Sequence, residues 1–209
     1  MRSVLAALAA AALLAGCVSL SVGNADAPAL TYYVLADARP AAEAAAPAAA
    51  TAPRLAIQGT SADPLADSIS IVFSRRPGER SLYQFASWSE RPSRRLAQLA
   101  QQRLQAGGRF ASVTQLGQPV ASDWLLSLAL ETMVHDVSSA PGRARITLHA
   151  ELIDRRDRSL VASRSFSAAQ PVDELAAASA VAAFGLATAD VLDALTRWVE
   201  ATVAAQPAR

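Results

Sequence analysis

Two histidines, one cysteine and no lysine bound the chemistry open to this 209-residue chain. Strand alternation puts His135 and His149 on the polar face of one hairpin, not opposite each other, and neither has a second His or Cys at metal-ligand spacing. No metal site and no cofactor is therefore expected. The chain has no Gly-x-Ser-x-Gly elbow, no His-Glu-x-x-His and, past its N-terminal signal, no Cys-His pair at the spacing of a nucleophile and its base. Every basic residue is Arg, so a Walker A lysine, a Schiff base and a Ser-Lys dyad are all excluded. If ATP drives the process this protein serves, another subunit hydrolyses it. Asp154 and Asp157 flank Arg155, Arg156 and Arg158 and read as a solvated hairpin tip, not a carboxylate dyad. The chain is not expected to be an enzyme.

Cys17 is the residue whose setting predicts covalent chemistry. Met1-Arg2 supplies a positive start, Ser3 to Leu13 is an uncharged Ala/Leu-rich stretch, and Leu14-Ala15-Gly16-Cys17 closes it with small residues before a cysteine, a bacterial lipobox. The apolar stretch is well short of the roughly 20 residues a membrane-spanning helix needs, so residues 1–16 read as a cleaved signal peptide. The motif resembles the lipoprotein maturation signal, in which the cysteine thiol is diacylglycerylated, the signal is removed and the new N-terminus is acylated. A lone cysteine at that position leaves the mature domain without an internal disulfide, although its compartment is oxidising. Stability must come from a core, and about 190 residues in one domain suffice to bury one. The mature chain, with 18 basic and 18 acidic residues once Arg2 is removed, is close to neutral and has no footprint for nucleic acid.

The segment from Arg75 to Arg95 is the other unusual feature. It interleaves arginines with Tyr83, Phe85 and Trp88 between a hairpin and a helix. Arg, Tyr and Trp anchor interfaces, so Arg75, Arg76, Arg80, Tyr83, Trp88 and Arg91 are the candidate partner-binding residues. On the alternative reading, Tyr83 and Phe85 face the core and the arginines are merely solvated.

The elements that must position these residues follow from periodicity. Residues 17–29 form a lipidated tether whose dozen or so residues reach roughly 40 Å at most, which keeps the domain near its membrane. A single domain is expected over 30–205. Leu30 to Leu35 is β-branched and aromatic enough for a strand. Residues 36–53 form a low-complexity Ala/Pro run, expected to be a disordered loop. Strands are expected at 54–59, 69–73 and 81–85, the last two joined through Arg75-Arg76-Pro77-Gly78. Pro92 suits the first turn of a helix with Leu96, Leu99, Ala100 and Leu104 on one face and Gly107-Gly108 at its end. Trp124 to Val134 and Ala144 to Leu152 alternate with their even-numbered residues inward. The preferred register pairs Val134 with Ile146 and Leu128 with Leu152, and sets Glu131 beside His149. A third antiparallel strand follows at 160–166. Asp173 is expected to cap a last helix whose stripe runs through Val181, Phe184, Thr188, Leu192 and Leu195 to Val199, with Gly185 in it for close approach. The expected fold is α+β, a mainly antiparallel sheet of five to seven strands with two long helices packed on one face.

The order of these features resembles a known family. A lipobox, then Tyr32-Tyr33-Val34-Leu35 after a short tether, then Tyr83 and Trp88-Ser89-Glu90-Arg91-Pro92 leading into a Leu-rich helix that ends before Phe110, is similar to the ABC-type transport auxiliary lipoproteins of the paraquat-inducible protein C type. The resemblance spans essentially the whole mature chain, and the Ala/Pro run at 36–53 departs from it. It implies a non-catalytic component of a lipid transport system, with an MCE-type protein bridging the periplasm as partner and, through it, an ABC permease and ATPase. It also implies an outer-membrane location, on the periplasmic face. Val18 instead of Asp after the lipidated cysteine agrees with the familiar sorting rule for that membrane. The alternatives are a regulatory lipoprotein that activates a peptidoglycan synthase, which would need a longer tether, and a periplasmic domain that itself carries lipid.

Overall fold

The computed structural model describes residues 28–40 and 48–206. The signal peptide, the lipobox and most of the tether lie outside the described residues. Within them the chain forms β1 (Thr31–Tyr33), β2 (Arg54–Ser61), β3 (Ser70–Ser74), β4 (Ser81–Trp88), α1 (Pro92–Ala106), β5 (Ser112–Gln115), β6 (Trp124–Asp136), β7 (Arg143–Asp154), β8 (Ser159–Pro171) and α2 (Ala177–Ala204). The fold is α+β, but the expectation of a mainly antiparallel sheet of five to seven strands is overturned. One mixed sheet holds eight strands. Its β1–β4, β2–β5, β2–β6 and β3–β6 pairings are parallel, and only β3–β4, β6–β7 and β7–β8 are antiparallel. Short turns reverse the chain, so the hairpins were readable. The parallel partners lie far apart in sequence, and a period-two alternation looks the same in either direction.

β6 organises the sheet. Along one edge it pairs with β7 over its whole length. Along the other it serves two neighbours: β2 runs beside residues 124–130, and β3 meets His135 and Asp136. Between them, at Glu131, the β6–β7 register shifts by one residue, a β-bulge. Before the shift Leu126, Leu128 and Leu130 oppose Leu152, Ala150 and Leu148; after it Met133 opposes Ile146 and His135 opposes Ala144. The expected pairing of Val134 with Ile146 is therefore corrected. The extra residue inverts the parity of β6, and odd-numbered Met133 and His135 turn to the face that holds Ile146 and Ala144.

Both helices pack on the sheet and on each other: α1 against β2, β5 and β6, α2 against β7 and β8. α1 comes close to the sheet at Gly59 of β2, where a Cβ would stand 2.5 Å from the Ser93 carbonyl oxygen. Pro92 opens α1, and Asp67, from the link before β3, caps it by accepting the Ser93 N–H at 2.8 Å. α2 is long and apolar enough to cross a membrane. Here its stripe of Phe184, Thr188, Leu192, Leu195 and Val199 is buried in the core instead. It begins at Ala177 behind an Ala176 N-cap with no side-chain bond, so Asp173 is not its cap.

Candidate partner-binding surface

The chain between Val34 and Arg39 is strapped across the helices. Leu35 is buried, its carbonyl accepts the Arg95 Nε–H at 2.8 Å, and the Ala38 N–H reaches the Gly185 carbonyl at 3.3 Å. Asp37 receives Arg103 at both oxygens, with Nη2 to Oδ1 at 2.8 Å, while Arg103 also pairs with Asp193, and Arg39 with Asp190 and Asp193. Burial pushes the Asp37 carboxyl up, but the Arg103 guanidinium and the Arg39 backbone N–H outweigh it and hold the group below its usual range. The start of the Ala/Pro run is thus ordered, contrary to the disorder expected of it. Residues 41–47 lie outside the described residues.

This strap fixes β1 as the edge of the sheet, beside β4 and then β3. The six candidate residues all come from that end of the molecule but do not share one surface. Arg75, Arg76 and Arg80 are exposed around the β3–β4 turn, which Gly78 makes with a φ of 80°. The Arg75 guanidinium lies over the Phe73 ring at 4.5 Å, and Phe73 in turn packs on Tyr83 at 5.1 Å. Tyr83 is half-buried, its hydroxyl 2.8 Å from His135 Nδ1, and burial raises its pKa. Trp88 and Arg91 sit at the other end of β4. Arg91 is exposed, 3.7 Å from Asp67. Trp88 is only 3% exposed and meets Phe184 of α2 edge-on at 5.7 Å, so it belongs to the core and displays nothing to a partner.

Other side chains fill the place Trp88 was expected to take. Tyr32, 62% exposed, stands opposite Ser87 in the β1–β4 register, two residues from Phe85, which is 48% exposed; Leu82 is exposed on β4 and Ile69 just before β3. Two exposed aromatic rings therefore stand together on the β1–β4 edge, with exposed arginines at the two ends of β4. Aromatic interleaving at 83–88 signalled such a surface, but it could not tell which ring points out.

His135 was expected on a polar face and is fully buried. The bulge turns it inward, with Nδ1 at Tyr83 and Nε2 2.8 Å from the Pro141 carbonyl oxygen. That oxygen only accepts, so Nε2 carries the proton and the Tyr83 hydroxyl donates to Nδ1. Burial lowers the His135 pKa against the opposing effects of Pro141 and Asp136. His149 stays on the open face, 2.9 Å from Ser165 Oγ, with Ala129 opposite it where Glu131 was expected.

Comparison with known proteins gives the class directly: residues 33–196 match the family of ABC-type transport auxiliary lipoprotein components, and the chain belongs to that family. It is also similar to the crystal structure of protein XCC0632 from Xanthomonas campestris, with 25% identity, a TM-score of 0.73, and coverage of 83% of this chain and 97% of that one. An uncharacterized protein (13% identity, TM-score 0.63, covering 82% and 99%) and the hypothetical protein CT253 from Chlamydia trachomatis (8%, 0.50, 74% and 99%) share the fold. No curated protein matches the sequence.

Proposed function

We propose that this auxiliary lipoprotein is the outer-membrane-anchored, non-catalytic component of an ABC/MCE-type lipid transport system. In this reading it holds the periplasm-spanning MCE-type protein through the β1–β4–β3 end. The family match over residues 33–196 carries the reading. It is supported by where the exposed rings lie: Tyr32 on the edge strand β1 and Phe85 on β4 are displayed side by side, and Arg75, Arg76 and Arg80 are exposed at the far end of β4. Tyr, Trp and Arg are enriched among the residues that dominate interface energies.

The anchor and the partner can be tested in one fractionation. Labelled palmitate should enter the wild type and not Cys17→Ser, and the wild type should sediment with outer-membrane fractions and retain the MCE-type protein. Equal labelling of both forms, sedimentation with the inner membrane, or a preparation free of the MCE-type protein would each contradict the corresponding part of the reading.

A further inference from the structure

A cavity of about 700 Å³ opens where the end of α2, the start of β2 and the β7–β8 turn meet. Four elements far apart in sequence each bring an arginine to its wall: Arg54 from β2, Arg109 from the link after α1, Arg156 from the β7–β8 turn and Arg197 from α2. Among the described residues two carboxylates, Asp123 and Glu200, line it with them. Asp123 already accepts the Arg54 backbone N–H at 2.9 Å. Arg156 is committed to Asp154, binding both of its oxygens at 3.0 and 2.9 Å, while its guanidinium carbon lies 5.8 Å from the centre of the Trp124 ring. The side chains of Arg54, Arg109 and Arg197 have no ion pair or hydrogen bond among the described residues.

The rest of the lining is mostly apolar, with Thr51 and Gln206 among it. Phe110 and Trp124, both buried, form its floor, and Val203 of α2 contributes to the wall. Three exposed guanidiniums with no ion pair or hydrogen bond among the described residues, around a partly apolar open cavity of ligand-binding size, are suited to a specific chemistry. The planar fork of Arg matches the oxygens of a phosphate or carboxylate, and the aromatic floor matches hydrocarbon. We propose that this cavity binds an anionic amphiphile, its oxyanion head among Arg54, Arg109 and Arg197 and its chain against Phe110 and Trp124. The inference is independent of the partner reading, because the cavity and the β1–β4–β3 end share no residue.

Calorimetry on the full lipoprotein held in a non-ionic amphipol tests it, with dodecyl phosphate titrated below its micelle concentration as the probe. One molecule should bind per chain. The Arg109→Ala/Arg197→Ala double variant should bind at least tenfold more weakly with an unchanged circular dichroism spectrum, while Arg75→Ala/Arg76→Ala should bind as the wild type does. Inorganic phosphate and dodecyl maltoside, which each offer half of the ligand, should both bind at least tenfold more weakly than dodecyl phosphate. Equal affinity of the Arg109→Ala/Arg197→Ala form would overturn the proposal. So would inorganic phosphate binding as tightly as dodecyl phosphate, which would assign a free oxyanion site, or dodecyl maltoside doing so, which would assign an apolar cleft without selectivity for charge.

Discussion

At the scale of single residues, burial decides the roles of Trp88 and His135. Trp88 fills the space between β4 and Phe184, so Trp88→Ala should cost about 3–5 kcal/mol of stability, as large core truncations do. Chemical denaturation measures this; a loss under about 1 kcal/mol would return Trp88 to the surface. His135 makes stability depend on pH. Its pKa in the folded chain is lowered from the ordinary 6.5, so the unfolded chain binds the proton more readily and stability rises with pH. The contribution is complete above about pH 6.5 and is lost as the pH falls from there through the folded-state value. Melting temperatures at pH 7.5 and 5.5 should therefore fall further in the wild type than in His135→Gln. The carboxylates whose pKa values are held down, Asp37, Asp136 and Asp190, titrate at lower pH and leave that window clear.

At the scale of elements, the contact between α1 and β2 depends on Gly59. A methyl there meets the Ser93 backbone oxygen and the Ala97 Cβ, at 2.5 and 3.0 Å, neither of which can rotate away. Gly59→Ala should force α1 outward and cost about 1–3 kcal/mol, read as a lowered denaturation midpoint. The elements themselves were largely legible in the sequence. The inward leucines of β6 and β7, the α2 stripe and the Pro92 to Gly107 helix all stand in the expected places, because burial on one face writes a periodic pattern into the chain. Strand direction and the Glu131 bulge were not legible. One inserted residue leaves the hydrophobic run intact while reversing which side chains it buries, and that reversal hid the Tyr83–His135 bond. In the candidate partner segment Arg75, Arg76, Arg80 and Arg91 are exposed, as both readings of the sequence expect, but Trp88 is claimed by a helix ring nearly a hundred residues later in the chain. The Asp37 strap was hidden too, since nothing local in an Ala/Pro run reveals that one acid in it meets Arg103.

At the scale of the molecule, two features have separate places: the exposed rings of Tyr32 and Phe85 stand on β1 and β4, and the arginine-lined cavity lies where α2 ends. β8 forms a different edge of the sheet, paired only with β7, and its Leu160 is 57% exposed, so an apolar side chain is also available where the account places no partner. The most direct measurement is photo-crosslinking in intact cells, with a photoreactive amino acid placed in the lipoprotein at Phe85 in one strain and at Leu160 in another. The account predicts an adduct with the MCE-type protein from the Phe85 position and none from Leu160. No adduct from Phe85, with one formed at Leu160, would contradict it.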